Sequence, residues 1–187
     1  MATTKHSLVA LVTDKPGVLN RIASIFRRRG FNIESIAVGH SELPHISRVS
    51  IVVGGTAAMV EQVRKQLDKA IDVIKVSDIT GEGTISRELA LIKVKATAAN
   101  RSEIIQIVDI FRANIVDVAA GSVMIEVTGD EQKVSSLYNL LRGFGIKEIA
   151  RTGSIAMTRG GSGSLAVAEK TPRAKSSKQK SKPKAIK

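Results

Sequence analysis

A strand–helix–strand–strand–helix–strand order is written twice along this chain, and that repetition narrows the possible folds more than any bulk property. The echo is visible in the letters. Ile25-Phe26-Arg27 followed by Asn32-Ile33 recurs as Ile110-Phe111-Arg112 followed by Asn114-Ile115, with three fewer residues between. Two copies make paired domains, because a solenoid needs at least three stacked repeats.

The first copy reads as follows. Residues 8–12 form a continuous apolar run suited to a buried strand. After the 14–17 turn, Val18, Leu19, Ile22, Ala23, Ile25 and Phe26 fall on one side of a 3.6-residue repeat, with Arg21, Ser24, Arg27 and Arg28 opposite. Gly30 is placed to end that helix, and β-branched and aromatic character resumes over 31–38. A polar turn at 39–44 leads into an alternating strand carrying Val49, Ile51 and Val53, so the two strands are read as a hairpin. Gly54-Gly55-Thr56 breaks this strand and caps a second helix with Val60, Val63, Leu67 and Ala70 or Ile71 on its apolar face; residues 73–79 supply the last strand.

Residues 80–87 read as a linker, and the elements then recur. A strand is predicted at 89–96, a helix marked by Ile104, Ile107, Val108 and Phe111, strands at 115–118 and 122–127, a helix marked by Val134, Leu137, Leu140 and Leu141, and a closing segment at 146–157. Such an order gives a four-stranded antiparallel sheet with both helices on one face, the ferredoxin-like arrangement. The expected class is therefore α+β, with domains at 1–80 and 81–159 and a basic tail at 160–187. Units this small have small cores and open sheet edges, so at least a homodimer is expected.

The net charge of +12 suggests a nucleic-acid partner until it is divided along the chain. The 160–187 segment holds eight basic residues against the single acidic Glu169, which is seven of the twelve net charges. It opens with Gly-Gly-Ser-Gly-Ser and continues without aromatic residues, so it is read as a disordered extension that binds no nucleic acid specifically. The chain has no cysteine, which excludes a disulfide framework and a cysteine nucleophile and fits a reducing cytoplasm. Neither a signal-peptide pattern nor an apolar run of about 20 residues is present, so no membrane span is expected.

One loop stands out chemically. Asp14-Lys15-Pro16-Gly17-Val18-Leu19 joins a strand end to a helix start, where free backbone amides and the helix dipole favour a small anion such as an amino-acid carboxylate. Gly17 lets backbone approach a ligand closely, Asp14 or Asn32 can receive an ammonium group, and Val18, Leu19 and Ile33 offer an apolar wall. A purely structural reading is also open: Asp14 as a helix cap, Pro16 setting the first turn, Gly17 in a tight bend and Asn32 in a turn. His6, His40 and His45 lack a companion acidic cluster and are assigned no metal. Gly81-Glu82-Gly83 and Gly160-Gly161-Ser162-Gly163 lack the ending of a phosphate loop, and Arg27-Arg28-Arg29 complements a helix C-terminus. No nucleophile–base set emerges, so no catalytic residue is assigned.

Several separated strings carry a more specific signal: Pro16-Gly17-Val18-Leu19, Arg29-Gly30-Phe31-Asn32-Ile33-Glu34-Ser35-Ile36, Ile46-Ser47-Arg48, Ser86-Arg87-Glu88-Leu89 and Glu148-Ile149-Ala150-Arg151-Thr152-Gly153. In this order they resemble the regulatory (small) subunits of acetolactate synthase, also called acetohydroxyacid synthase, whose N-terminal half is an ACT domain. The resemblance spans about residues 5–160. It implies a non-catalytic protein of branched-chain amino-acid biosynthesis that activates a catalytic subunit and confers feedback inhibition, usually by valine. Thiamine diphosphate, magnesium and FAD would belong to that catalytic partner, and no cofactor to this chain. It further implies an effector site between paired ACT domains, with Asp14, Gly17, Val18 and Leu19 from one protomer and Asn32 and Ile33 from the other. Many members of that family carry asparagine or glutamate-asparagine where this chain reads Thr13-Asp14.

A second function class stays in view: a stand-alone amino-acid-sensing ACT regulator whose basic tail binds nucleic acid. Against it, the chain has no recognisable helix-turn-helix, and one tyrosine with four phenylalanines gives few base-stacking platforms.

Overall fold

The computed structural model describes residues 4–81 and 83–160. Each copy folds as its pattern requires. In the first, β1 (Thr4–Thr13), α1 (Val18–Arg28), β2 (Ile33–His40), β3 (Ile46–Gly55), α2 (Ala57–Asp68) and β4 (Val73–Asp78) give an antiparallel sheet in the order β2-β3-β1-β4. Alternate residues Leu8, Ala10 and Val12 of β1 and Val49, Ile51 and Val53 of β3 meet Val18, Ile22 and Phe26 of α1 and Val60, Val63 and Leu67 of α2 in one buried core. Both helices therefore cover one face of the sheet. The second copy repeats this with β5 (Thr84–Lys95), α3 (Arg101–Ile110), β6 (Asn114–Ala119), β7 (Ser122–Gly129), α4 (Glu131–Leu141) and β8 (Ile146–Arg151), in the order β6-β7-β5-β8. Its core joins Ala90, Ile92 and Val94 to Ile104, Val108, Val134, Leu137 and Leu141.

The repeat is closer than the letters suggest, and its true register differs from the Ile-Phe-Arg match. α1 ends in a Schellman motif: Gly30 at φ +68° donates to Arg27 O (3.1 Å) and Phe31 donates to Phe26 O (3.1 Å). α3 ends identically, with Arg112 at φ +48° donating to Asp109 O (2.9 Å) and Ala113 to Val108 O (3.0 Å). Gly30 thus corresponds to Arg112, and Asn32-Ile33 to Asn114-Ile115. The two Ile-Phe-Arg strings do not correspond, since the first lies inside α1 and the second straddles the end of α3. Both following strands then carry a register shift at the same place, between Ile33 and Ser35 in β2 and between Ile115 and Asp117 in β6.

Three other expectations need correction. The segment read as a linker is half strand: Thr84–Arg87 are the first residues of β5 and pair with β9 (Ile155–Thr158). The glycines at 81 and 83 masked this strand, whose pairing partner lies some 70 residues on. The closing segment is accordingly two strands, broken at Thr152-Gly153-Ser154, where Gly153 adopts φ +83°. Leu140, Leu19 and Ala23, predicted on buried helix faces, are exposed. The second-helix alternative resolves to Ala70, which packs on the core, whereas Ile71 is 87% exposed.

The back of the first sheet, opposite its helices, receives the second unit. Val9 packs with Ile79 and Ala156, and Arg48 Nη2 reaches the Ala156 carbonyl at 2.8 Å. No described helix is long and apolar enough to cross a membrane. The basic-tail reading falls outside the described residues, except Gly160.

Candidate effector-binding site

α1 begins in an unusual way. Its N-cap is Gly17 at φ +87°, ψ −10°, a left-handed conformation that glycine adopts without steric cost, and it supplies no side-chain cap. The first turn also contains no acidic residue. By contrast, Thr56 Oγ1 accepts from Met59 N at 3.4 Å to cap α2, and Asp130 accepts from Lys133 N at 2.8 Å to cap α4. The α1 terminus therefore keeps the positive end of its dipole and its first amides for something other than its own side chains. A Cβ built on Gly17 would meet no atom within 4 Å, so the surface there is open.

The structure separates the two readings of Asp14. This residue does not cap α1. Its amide donates to His45 O (2.9 Å), and its exposed carboxylate lies 3.6 Å from His40 Nδ1. Both histidines belong to the β2–β3 hairpin, with His45 at φ +60°. The sequence assigns them no metal and no contact with the loop. The signal for their proximity was long-range: β3 pairs Ile46 with Thr13, which brings the hairpin beside the loop. Among the described residues, no group of three or more His, Asp or Glu could hold a metal ion.

Of the six predicted site residues, Asp14, Gly17, Leu19 and Asn32 are exposed, Ile33 is half-buried against the core, and Val18 is in the core. The Val18 amide donates to Lys15 O at 3.4 Å, while Leu19, 47% exposed, offers apolar surface.

The sheet register shows that the two groups of residues are far apart within one protomer. Ile33 pairs with Val53, which pairs with His6; Thr13, beside the loop, is seven residues further along β1. At about 3.3 Å per residue that is about 23 Å. However, β2 is the edge of its sheet, and its far end, His40, lies beside Asp14. Antiparallel pairing of this edge with its own copy would bring the partner's Ile33 end alongside the 14–19 loop. Ile36 and Val38, 41% and 47% exposed, flank that edge on the helix side of the sheet.

The start of α3 in the second copy likewise has no side-chain cap, but it differs from α1 in carrying Glu103 in its first turn and in what its first residues bind. Asn100, in the place of Gly17, accepts from Thr97 N through Oδ1 at 2.6 Å. Arg101 Nη2 then crosses to the carbonyls of Ala119 (2.9 Å) and Ala120 (3.2 Å), tying the start of α3 to the adjacent hairpin.

Comparison with known proteins agrees with this architecture. A family model for the ACT domain of AHAS small-subunit-like proteins matches residues 8–75, and one for the small subunit of acetolactate synthase matches residues 87–160. A probable acetolactate synthase small subunit of Archaeoglobus fulgidus is 57% identical over 156 residues, 83% of this chain and 98% of that protein. One of Methanothermobacter thermautotrophicus is 53% identical over 161 residues, 86% of this chain and 96% of the relative. The crystal structure of the acetolactate synthase small subunit from Thermotoga maritima superposes with a TM-score of 0.79 at 45% identity, covering 84% of this chain and 98% of that one. With this identity carried across both units and nearly the whole length of each relative, the chain belongs to the acetolactate synthase small-subunit family.

Proposed function

We propose that this protein is the non-catalytic regulatory partner of an acetolactate synthase catalytic subunit, raising its activity and making it sensitive to valine bound between paired ACT domains. One geometric observation carries the reading. The uncapped α1 terminus and the Asn32-Ile33 segment lie at opposite ends of one sheet whose edge strand is β2, so antiparallel pairing of that edge with a second copy would bring each beside its counterpart. Sensing in this arrangement requires a homodimer. The α1 amides receive the effector carboxylate, Asp14 or Asn32 its ammonium group, and Leu19 with Ile33 its branched side chain. Thiamine diphosphate, magnesium and FAD remain with the catalytic subunit, and the complex works in the cytoplasm.

Regulation then needs only two arrangements of the ACT pair that differ in their affinity for valine and in their support of the catalytic partner. A coupling of about 1–3 kcal/mol, or 5- to 150-fold, suffices. The experiment is to mix the purified chain with its cognate catalytic subunit. Acetolactate formation should rise and become valine-sensitive, and calorimetry should show valine binding to the dimer. No change in rate and no valine sensitivity would refute the reading.

A further inference from the structure

We propose that the bulge at Glu34–Ser35 is the junction through which the second unit reads the effector half-site at Asn32-Ile33; the proposal rests on the effector assignment above. The register shift in β2 falls between Ile33 and Ser35, immediately after the half-site. Of the two residues that follow Ile33, Ser35 contacts the second unit directly and Glu34 reaches it through Lys5 of its own β1. Ser35 Oγ accepts a hydrogen bond from the Ser154 amide at 2.8 Å. Glu34 holds Lys5 Nζ at 3.2 Å, and the same ammonium reaches Glu131, the first residue of α4, at 2.5 Å.

The opposing surface is shaped to fit. Gly153 presses bare backbone onto β2: a Cβ there would stand 2.8 Å from Ser35 Oγ and 2.9 Å from the Ile36 carbonyl. These residues line a cleft of about 450 Å³ between the units, together with Glu88 and Arg151. Its charged groups are bonded to one another, Lys5 to Glu34 in its own unit and to Glu131 across the cleft, and Arg151 to Glu88 within the second unit. The cleft is thus a seam joining the two bodies, already saturated by their own charges.

A movement at the seam has a defined onward route. Thr152 bonds the backbone of Leu89 twice, with its amide donating to Leu89 O at 3.0 Å and its Oγ1 accepting from Leu89 N at 3.1 Å. Displacement of Gly153-Ser154 is therefore delivered to β5, which runs through the middle of the second sheet. Of the two links, the Ser35–Gly153–Ser154 contact is the one that matters. Lys5, Glu34 and Glu131 are all substantially exposed, and an exposed ion pair shifts an equilibrium by at most about fivefold.

The test uses the full chain with its catalytic subunit, valine as the probe, and three variants. Ser35→Ala removes the acceptor, Gly153→Ala forces the seam apart, and Lys5→Met removes only the ion pairs. In the wild type, valine should change hydrogen exchange at residues 152–156 of the second unit. Ser35→Ala should bind valine within about threefold of wild type and still activate the enzyme, while losing most of the inhibition, a coupling worth 5- to 150-fold. Lys5→Met should stay within fivefold of wild type in all three properties. Ordinary inhibition of Ser35→Ala, or a wild type whose 152–156 amides ignore bound valine, would overturn the proposal. Failure of the wild-type dimer to bind valine at all would instead overturn the effector assignment beneath it. Should Gly153→Ala fail to fold, Ser35→Ala and the exchange measurement decide alone.

Discussion

Arg151 grips both carboxylate oxygens of Glu88, Nε donating to Oε2 at 3.2 Å and Nη2 to Oε1, at the point where β5 passes from β9 to β8. The carboxylate is well enclosed, with its side chain 5% exposed, while the guanidinium opens partly to solvent at 39%. Removing the cation would strand a buried charge, which costs more than the pair contributes when intact. Arg151→Met should therefore lower unfolding free energy by about 1–3 kcal/mol, less than a fully buried pair because Arg151 is part-hydrated. Urea denaturation checks this, and a loss under about 0.5 kcal/mol would mean that water replaces the guanidinium freely.

Leu67 and Ile71 make a paired test of which face of α2 is structural. Leu67 is fully buried beneath the helix, whereas Ile71, four residues on, projects into solvent just beyond its end. Leu67→Ala should cost about 2–5 kcal/mol, through lost transfer energy and the cavity left behind. Ile71→Ala should stay within about 0.5 kcal/mol. Comparable losses in the two thermal melts would contradict the packing.

The helices and central strands were legible because their information is local. Val60, Val63 and Leu67 recur at helical spacing, and Val49, Ile51 and Val53 alternate, so each element announces its buried face. The 14–19 loop was legible for the same reason, as glycine sits where a strand gives way to a helix. β9, the Asp14–His40 approach and the inter-unit seam depend on pairings across tens of residues, which no local period encodes. Yet the strings used to recognise the family meet in space. Glu88 meets Arg151 within the second unit, and Ser35 meets Gly153 between the two units.

Glu61 provides a pH test on α2. Arg64 Nε and Nη2 donate to its carboxylate at 2.6 and 2.7 Å, and this bonding holds the carboxyl at about 2, below its ordinary 4.5. A group depressed on folding contributes stability that is present above its unfolded value and lost as pH falls through the folded one. The Glu61–Arg64 contribution should thus be complete above about pH 4.5 and fade toward pH 2. Because the carboxylate is exposed, its effect on global stability should be small. NMR titration should place the Glu61 midpoint well below that of an ordinary glutamate, and Arg64→Gln should return it toward 4.5; an ordinary midpoint in the wild type would show that the pair does not persist in solution.

Gly17 allows the effector site to be tested with its backbone strain held constant. At φ +87° any side chain is disfavoured, but Asn and Asp tolerate left-handed backbone better than other residues and differ from each other chiefly in charge. No atom lies within 4 Å of the position a Cβ would take, so neither variant meets a clash in the protomer. A carboxylate at the N-terminus of α1 would occupy the amides proposed to bind the effector carboxylate and repel it as well. Gly17→Asp should abolish valine inhibition while leaving activation largely intact, and should even stabilise α1 relative to Gly17→Asn by about 0.3–1 kcal/mol through the dipole. Gly17→Asn, neutral and nearly isosteric, should keep measurable though weaker inhibition. Inhibition curves with the catalytic subunit, set beside thermal melts of the two variants, separate charge from strain. If Gly17→Asp keeps wild-type valine inhibition, the carboxylate does not bind at this helix end.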